Sequence, residues 1–437
     1  MAETAAAGEQ THTTAAHSWV GELLLRLLGA ALQVSATWAV VHALTPDEAG
    51  VYFRGFVIAL GLSTLLRGKY ELYMAHHIIG RRAACNVSTG ALLMQLARRM
   101  LLRSSLLCAA LLVVTADLDI QAPQLQTVLQ TYLPFVLALP FVSLSSFLGE
   151  ALRAANRTLG IVVAAYALNL SMLLAVALAP PDASLALYSW AFLFGSVVSA
   201  GVAVALARRA FPATRAESSQ PVCREVLEAM NARELIGLAR GALLWGPLCI
   251  LSVWAPAVQM AKYAVAARTA LIVDFFLPAL NLTGCRETLR AAQPVQASCR
   301  LRLSQLAGAL VYSSAFVVPL LVLAPPTLAL YGKPYGSQLT VYALLLGVQW
   351  ANGVGRPAVR HVVVEWDARR IGVAVGSGAV AVVLICALGV GTYGALAAAA
   401  ASLIGALIVN GRAIVMALSD RHAGESQSGS PSPRGSI

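Results

Sequence analysis

Charge is scarce in this chain. Only 12% of its 437 residues are Asp, Glu, Lys or Arg, while 58% are hydrophobic. A soluble domain carries about 25% charged residues, so a water-soluble globular class is excluded. Lysine is nearly missing: of 31 basic residues only Lys69, Lys262 and Lys333 are lysines. The seven cysteines (Cys85, Cys108, Cys223, Cys249, Cys285, Cys299 and Cys386) are scattered and form no Cys-x-x-Cys pair. That argues against a disulfide framework and against a zinc ribbon. There is no P-loop, no nucleophile elbow and no His-Glu-x-x-His, so the sequence announces no nucleotide, acyl-transfer or zinc-hydrolase chemistry. The His76-His77 pair has no Cys, Asp or Glu at ligand spacing. No metal and no cofactor are therefore expected. Residues 1–17 carry no Lys or Arg, and a signal peptide opens with a basic region, so this stretch is expected to be a disordered tail.

Long apolar runs are present instead. Twelve can be drawn, at about 18–43, 51–75, 91–116, 125–150, 160–179, 185–207, 234–255, 261–283, 303–325, 338–361, 371–390 and 393–418. Each approaches the roughly 20 residues that span a bilayer core. The expected fold class is all-α, a polytopic membrane protein of about twelve transmembrane helices.

The net charge of +11 does not signal nucleic acid, because the basic residues punctuate the apolar runs. With the N-terminus inside, 24 of the 31 basic residues fall on the cytoplasmic side, among them Arg98, Arg99, Arg103, Arg208 and Arg209, and only Lys333 falls in an outer loop. The outer loops carry Asp47, Glu48, Asp117, Asp119 and Asp182. This asymmetry places both termini in the cytoplasm. No outer loop exceeds about a dozen residues, which leaves no room for an extracytoplasmic catalytic domain, and the protein is expected not to be an enzyme.

Weak internal similarity divides the chain. Tyr52 and Tyr263 are 211 positions apart, Tyr132 and Tyr342 are 210, and the Arg157-Thr158-Leu159-Gly160 and Arg369-Arg370-Ile371-Gly372 stretches are 212. Two six-helix bundles in the same orientation are expected, as in transporters that rock two halves about a central site. The bundles would be 18–207 and 234–418, joined by a cytoplasmic linker at 208–233 and followed by a Ser/Gly/Pro-rich tail at 419–437.

Charges within the membrane are costly, about 2.5–3.5 kcal/mol each on insertion scales, and so mark function. The basic ones are Arg26, Arg54, Arg240, Lys262, Arg268 and Arg356, and the clearest acid is Asp274. In the first segment Glu22, Arg26, Gly29 and Gln33 share one helical face, as do Gln349, Asn352, Arg356 and Arg360 in the tenth. A milder stripe in the fourth has Ser143, Ser146, Glu150 and Arg153. Polar stripes of this kind face a cavity or a partner helix. Arg54, Lys262, Arg240 and Arg360 lie close enough to segment ends to snorkel to the interface instead. Asp274 is open to two readings: an internal ion pair, or a proton or sodium coupling site.

The residues Leu27-Leu28-Gly29, followed after one helix by Leu44-Thr45-Pro46-Asp47-Glu48-Ala49-Gly50-Val51-Tyr52, resemble the opening of polysaccharide flippases. The stretch around Lys262-Tyr263 and Leu152-Arg153-Ala154-Ala155-Asn156-Arg157 are similar too. The family is that of the lipid-linked oligosaccharide (O-antigen repeat-unit) flippases of the multidrug/oligosaccharidyl-lipid/polysaccharide exporter superfamily. Thr45 stands where that family commonly has glycine, and Arg54 and Arg67-Gly68-Lys69 are unusual for it. The resemblance implies export of an undecaprenyl-pyrophosphate-linked O-antigen or exopolysaccharide repeat unit across a bacterial inner membrane, with polysaccharide assembly proteins as possible partners alongside membrane lipids. Guanidinium groups pair well with phosphate oxygens. The candidate substrate-binding set is Arg26, Arg268, Arg356, Gln33, Gln349, Asn352, Arg54 and Arg240, with Asp274 for ion coupling. The alternatives are a multidrug exporter of the same superfamily, which would want acidic cavity groups, a membrane glycan polymerase or ligase, and a non-transporting scaffold.

Overall fold

The computed structural model describes residues 24–80, 88–121, 126–155, 184–212, 234–276, 303–365 and 368–428, with further helical positions inside 169–178 and 228–231. The 1–17 tail, most of the fifth predicted segment, most of the 208–233 linker and residues 277–302 lie outside the described residues. Among those described there is no strand.

The helices follow the apolar runs. They are α1 (Leu24–Ala43), α2 (Pro46–Gly80), α3 (Thr89–Gln121), α4 (Gln126–Ala154), α5 (Leu185–Ala210) and α6 (Glu234–Trp254). Then come α7 (Ala257–Ala270), α8 (Ile272–Phe276), α9 (Leu303–Val322), α10 (Ala324–Ala329), α11 (Lys333–Gly336), α12 (Leu339–Glu365), α13 (Ala368–Tyr393) and α14 (Ala395–Ser428). Among the described residues, eight helices are long and apolar enough to cross a membrane. Together with α3, α7–α8 and α12, and with the helical positions inside 169–178, they account for the expected set of about twelve.

The start of α2 shows how local chemistry fixes a boundary. The Thr45 amide and hydroxyl both donate to the Glu48 carboxylate, at 2.9 and 2.7 Å, and the Glu48 amide returns a bond of 3.4 Å to the Thr45 hydroxyl. This is a capping box, with Pro46 at the first helical position where no amide is needed. Gly394, at φ +53, makes the tight turn from α13 into α14 that a side-chain-bearing residue would resist. Several predicted boundaries move, and α2 and α3 run past their predicted ends to Gly80 and Gln121. The eighth segment is interrupted at Leu271, where the Asp274 amide bonds the Leu271 carbonyl at 3.0 Å in a tighter turn. The last helix runs on to Ser428, since nothing in the stretch before Pro431 removes a helical amide.

α2, α3, α4 and α5 pack against one another in one group, and α6, α9, α12, α13 and α14 in another, while one continuous apolar core runs through both. α2 bridges the two by lying along α6 and α7. Its glycines make this possible. A Cβ on Gly50 would overlap the Ala257 carbonyl, and one on Gly68 would stand 3.1 Å from the Gly237 Cα. α7 is equally spare, with Ala261, Ala264, Ala266 and Ala270 all buried. Without a hydrophobic drive between helices in lipid, such close van der Waals approach is the main source of cohesion. The outside stays apolar: Val380, Leu384 and Leu388, one turn apart on α13, are 58%, 55% and 83% exposed. A stripe of that kind belongs against acyl chains rather than water.

Tyr52 and Tyr263 occupy the same place in α2 and α7, the seventh residue of each. Both are buried. Tyr52 bonds Met172 Sδ at 3.4 Å, and Tyr263 pairs with Ser402 Oγ at 3.1 Å. Each anchors its helix to a neighbour in its own half.

Candidate functional site

Two polar clusters sit where the halves meet. The first is built on Arg268, from α7. Its Nε donates to Thr37 Oγ1 on α1 at 2.7 Å, and its Nη2 donates to Asn169 Oδ1 at 3.2 Å. The guanidinium lies over the Phe56 ring of α2, 4.7 Å from the centroid. Gln33 Nε2 donates to the Arg268 backbone carbonyl at 2.9 Å. A small cavity beside this clasp is lined by Thr37, Tyr52, Phe56, Asn169, Met172 and Arg268. One residue of the second half is thus held by three elements of the first. The next residue, Thr269, donates to the Tyr331 hydroxyl at 3.0 Å, which fixes α7 on its other side.

The second cluster gathers near the first turns of α6 and the last turn of α4, beside Arg67 of α2 and Arg356 of α12, which lie 13 and nine residues before the ends of their helices. Arg356 of α12 donates to Asp274 of α8 at 3.1 Å. Arg153, at the last turn of α4, lies within electrostatic reach of Asp274, Arg240, Arg356 and Arg26. Arg67 of α2 lies within reach of Arg240 and Arg153. Five guanidiniums from five helices therefore converge: Arg26, Arg67, Arg153, Arg240 and Arg356. Three carboxylates accompany them. Arg67 pairs with Glu71 and Arg153 with Glu150, each on its own helix, and Arg356 pairs with Asp274. Arg240 has no ion-pair partner among the described residues. One Arg356 nitrogen, Nη1, is buried with no hydrogen-bond partner among the described residues. Among the described residues, five cations of the cluster face three acids.

Beside this cluster the two halves close on one another. Lys69 of α2 is buried and bonds Glu234 of α6 at 2.8 Å, one residue from the Gly68–Gly237 contact.

The predicted set divides between these places. Arg268 and Gln33 meet in the clasp. Arg26, Arg240, Arg356 and Asp274 meet in the cationic cluster. Arg54 donates to the Ala255 carbonyl at the turn between α6 and α7 and also reaches Tyr132. Asn352 accepts a 3.0 Å bond from Asn410 of α14, inside the second half, and Gln349 is buried on the same helix. The sequence reading missed Thr37, Asn169 and Phe56, because ordinary core residues carry no mark of the cation they will meet. Arg67 and Lys69 fall inside the second predicted segment, 51–75, and α2 carries both as it runs on to Gly80. Among the described residues, no group of three His, Cys, Asp or Glu comes together.

No protein-family model and no curated sequence matches the chain. Solved structures do. The lipid II flippase MurJ in an inward closed conformation aligns with TM-score 0.69 at 11% identity, covering 91% of this chain and 87% of that one. A MOP superfamily transporter from Pyrococcus furiosus, for which the reverse polarity of the binding pocket suggests a different function, aligns with TM-score 0.60 at 14% identity, covering 94% and 95%. An inward-facing multidrug resistance MATE family transporter of the MOP superfamily aligns with TM-score 0.56 at 14% identity, covering 94% and 100%. The chain has the fold of these membrane transporters.

Proposed function

We propose that this protein is a flippase that moves a lipid-linked, pyrophosphate-bearing glycan across the membrane by alternating access between its two halves. The observation that carries the reading is the sign of the cluster. Five arginines from both halves converge on one place, with three acids beside them among the described residues. Intramembrane charge is expensive and is retained for function, and paired phosphates offer the oxygens that several guanidiniums can share. An exporter of cationic drugs would need the opposite sign. The resemblance to flippases at Leu44–Tyr52 supports the same reading and narrows the glycan to an O-antigen or exopolysaccharide repeat unit on undecaprenyl pyrophosphate. The shared fold supports rocking of 18–207 against 234–418, with the lipid tail left in the bilayer.

In this reading the cationic cluster lies at the cytoplasmic end of the molecule, as the distribution of basic residues requires, and both termini are cytoplasmic. Substrate would enter there from the inner leaflet of a bacterial inner membrane. The Arg268 clasp and the Lys69–Glu234 pair hold the halves together between substrate-loading events. The protein itself makes and breaks no covalent bond.

Complementation tests this. The gene is expressed in a bacterium lacking its own repeat-unit flippase, and surface polysaccharide is measured. Restored polymer is the expected result. Membrane-inserted protein with no polymer, together with resistance to cationic drugs, would overturn the reading in favour of multidrug export.

A further inference from the structure

We propose that Asp274 is an exchangeable internal counter-ion: it holds Arg356 while the site is empty, and the substrate's pyrophosphate displaces it on binding. The inference deepens the flippase reading and rests on it. The three carboxylates of the cluster are not alike. Glu71 and Glu150 lie four and three residues from their arginines on the same helices, so each pair travels as a unit whatever the helices do. Asp274 and Arg356 are 82 residues apart, on α8 and α12. Their pairing changes whenever those elements move relative to each other.

Asp274 also stands where a ligand anion would. It bonds Arg356 and lies within electrostatic reach of Arg153 and Arg240, so one carboxylate serves several cations. It is half exposed, at 49% of its side-chain surface, which keeps it open to exchange. Among the described residues, Arg356 Nη1 is buried without a hydrogen-bond partner and Arg240 has no ion-pair partner, so a single carboxylate does not satisfy the group. A pyrophosphate has more oxygens and more charge, and outcompetes it for the same donors. The break at Leu271 puts Asp274 on its own short helix, separate from the clasped residue Arg268, so the carboxylate can withdraw without opening the clasp. Exchange of this kind keeps the arginines compensated in both states and limits how tightly substrate is held, which favours release on the far side.

The test uses the full-length purified protein and a short-chain polyprenyl pyrophosphate, with the corresponding prenol as control. The wild type should bind the pyrophosphate and not the prenol. Asp274→Asn should bind it about fivefold more tightly, the scale of a partly exposed ion pair, and the gain should vanish in an Arg356→Ala background. In the wild type, pyrophosphate should also raise the reactivity of Asp274 toward a water-soluble carbodiimide, a readout that needs no variant to fold. If the wild type binds but Asp274→Asn binds equally or more weakly, or if labelling does not rise, the exchange is overturned and the cationic site stands. If the wild type fails to distinguish pyrophosphate from prenol, the flippase reading fails and the exchange falls with it.

Discussion

Arg268 of the second half reaches Thr37 of the first at 2.7 Å, across 231 positions of chain. With Asn169, Phe56 and the bond from Gln33, it is a cross-half attachment made by one side chain. Arg268→Lys keeps the charge but cannot span two acceptors and lie flat on a ring. It should lower the thermal midpoint in detergent, by an amount equivalent to about 1–2 kcal/mol from hydrogen bonds worth roughly 0.6 kcal/mol each plus the ring contact. Arg268→Ala should lower it further. Unchanged midpoints in both variants would show that the clasp does not hold the halves.

The approach of α2 to the second half predicts a graded glycine series. Gly50→Ala puts a Cβ into the Ala257 carbonyl and Gly68→Ala crowds Gly237, so both should destabilise, Gly50→Ala the more. A Cβ at Gly201 meets nothing within 4 Å. Gly201→Ala should be neutral or stabilising, by up to about 1 kcal/mol from helix propensity alone. Thermal unfolding of the three proteins in one detergent checks the order.

Much of this arrangement is legible in the sequence, for stated reasons. Helix count and boundaries follow from apolar length, since a bilayer sets the length of what crosses it. The flippase-like motif Thr45–Tyr52 proves to be built from structural parts: a capping box, a glycine at a backbone contact, and a tyrosine tied to Met172. That is why the motif reports the fold more directly than the cargo. Helical spacing also selects Arg26 and Arg356, which converge. It also selects Asn352, which turns instead to Asn410 within its own half, because a stripe on one helix does not say which neighbour it meets. Of the partners of Arg268, helical spacing marks Gln33 but not Thr37, Asn169 or Phe56. They come from the first half, and their contact depends on packing between the halves.

Lys69 and Glu234 join α2 to α6 beside the cationic cluster. If this contact closes the cytoplasmic side during the cycle, Lys69→Glu should cut export about tenfold, and Lys69→Glu combined with Glu234→Lys should restore most of it. Surface polymer in the complemented strain measures both. Equal loss in the single and the double variant would mean that the pair has no role in closure.

Arg26→Ala and Arg356→Ala should each abolish glycan export while protein levels in the membrane stay normal. Arg356→Lys should recover part of the activity, because it restores the charge but not the two-pronged donor. Immunoblots beside the polymer assay separate loss of function from loss of protein.

The cluster, in the proposed function, carries an anionic lipid. Proteoliposomes containing the purified protein, given a fluorescent polyprenyl-pyrophosphate glycan in one leaflet, test it most directly. Protein-dependent appearance of the probe in the other leaflet, lost in Arg26→Ala and Arg356→Ala, is the predicted result. A protein that leaves this probe in place but moves a cationic dye across the same membrane would contradict the account.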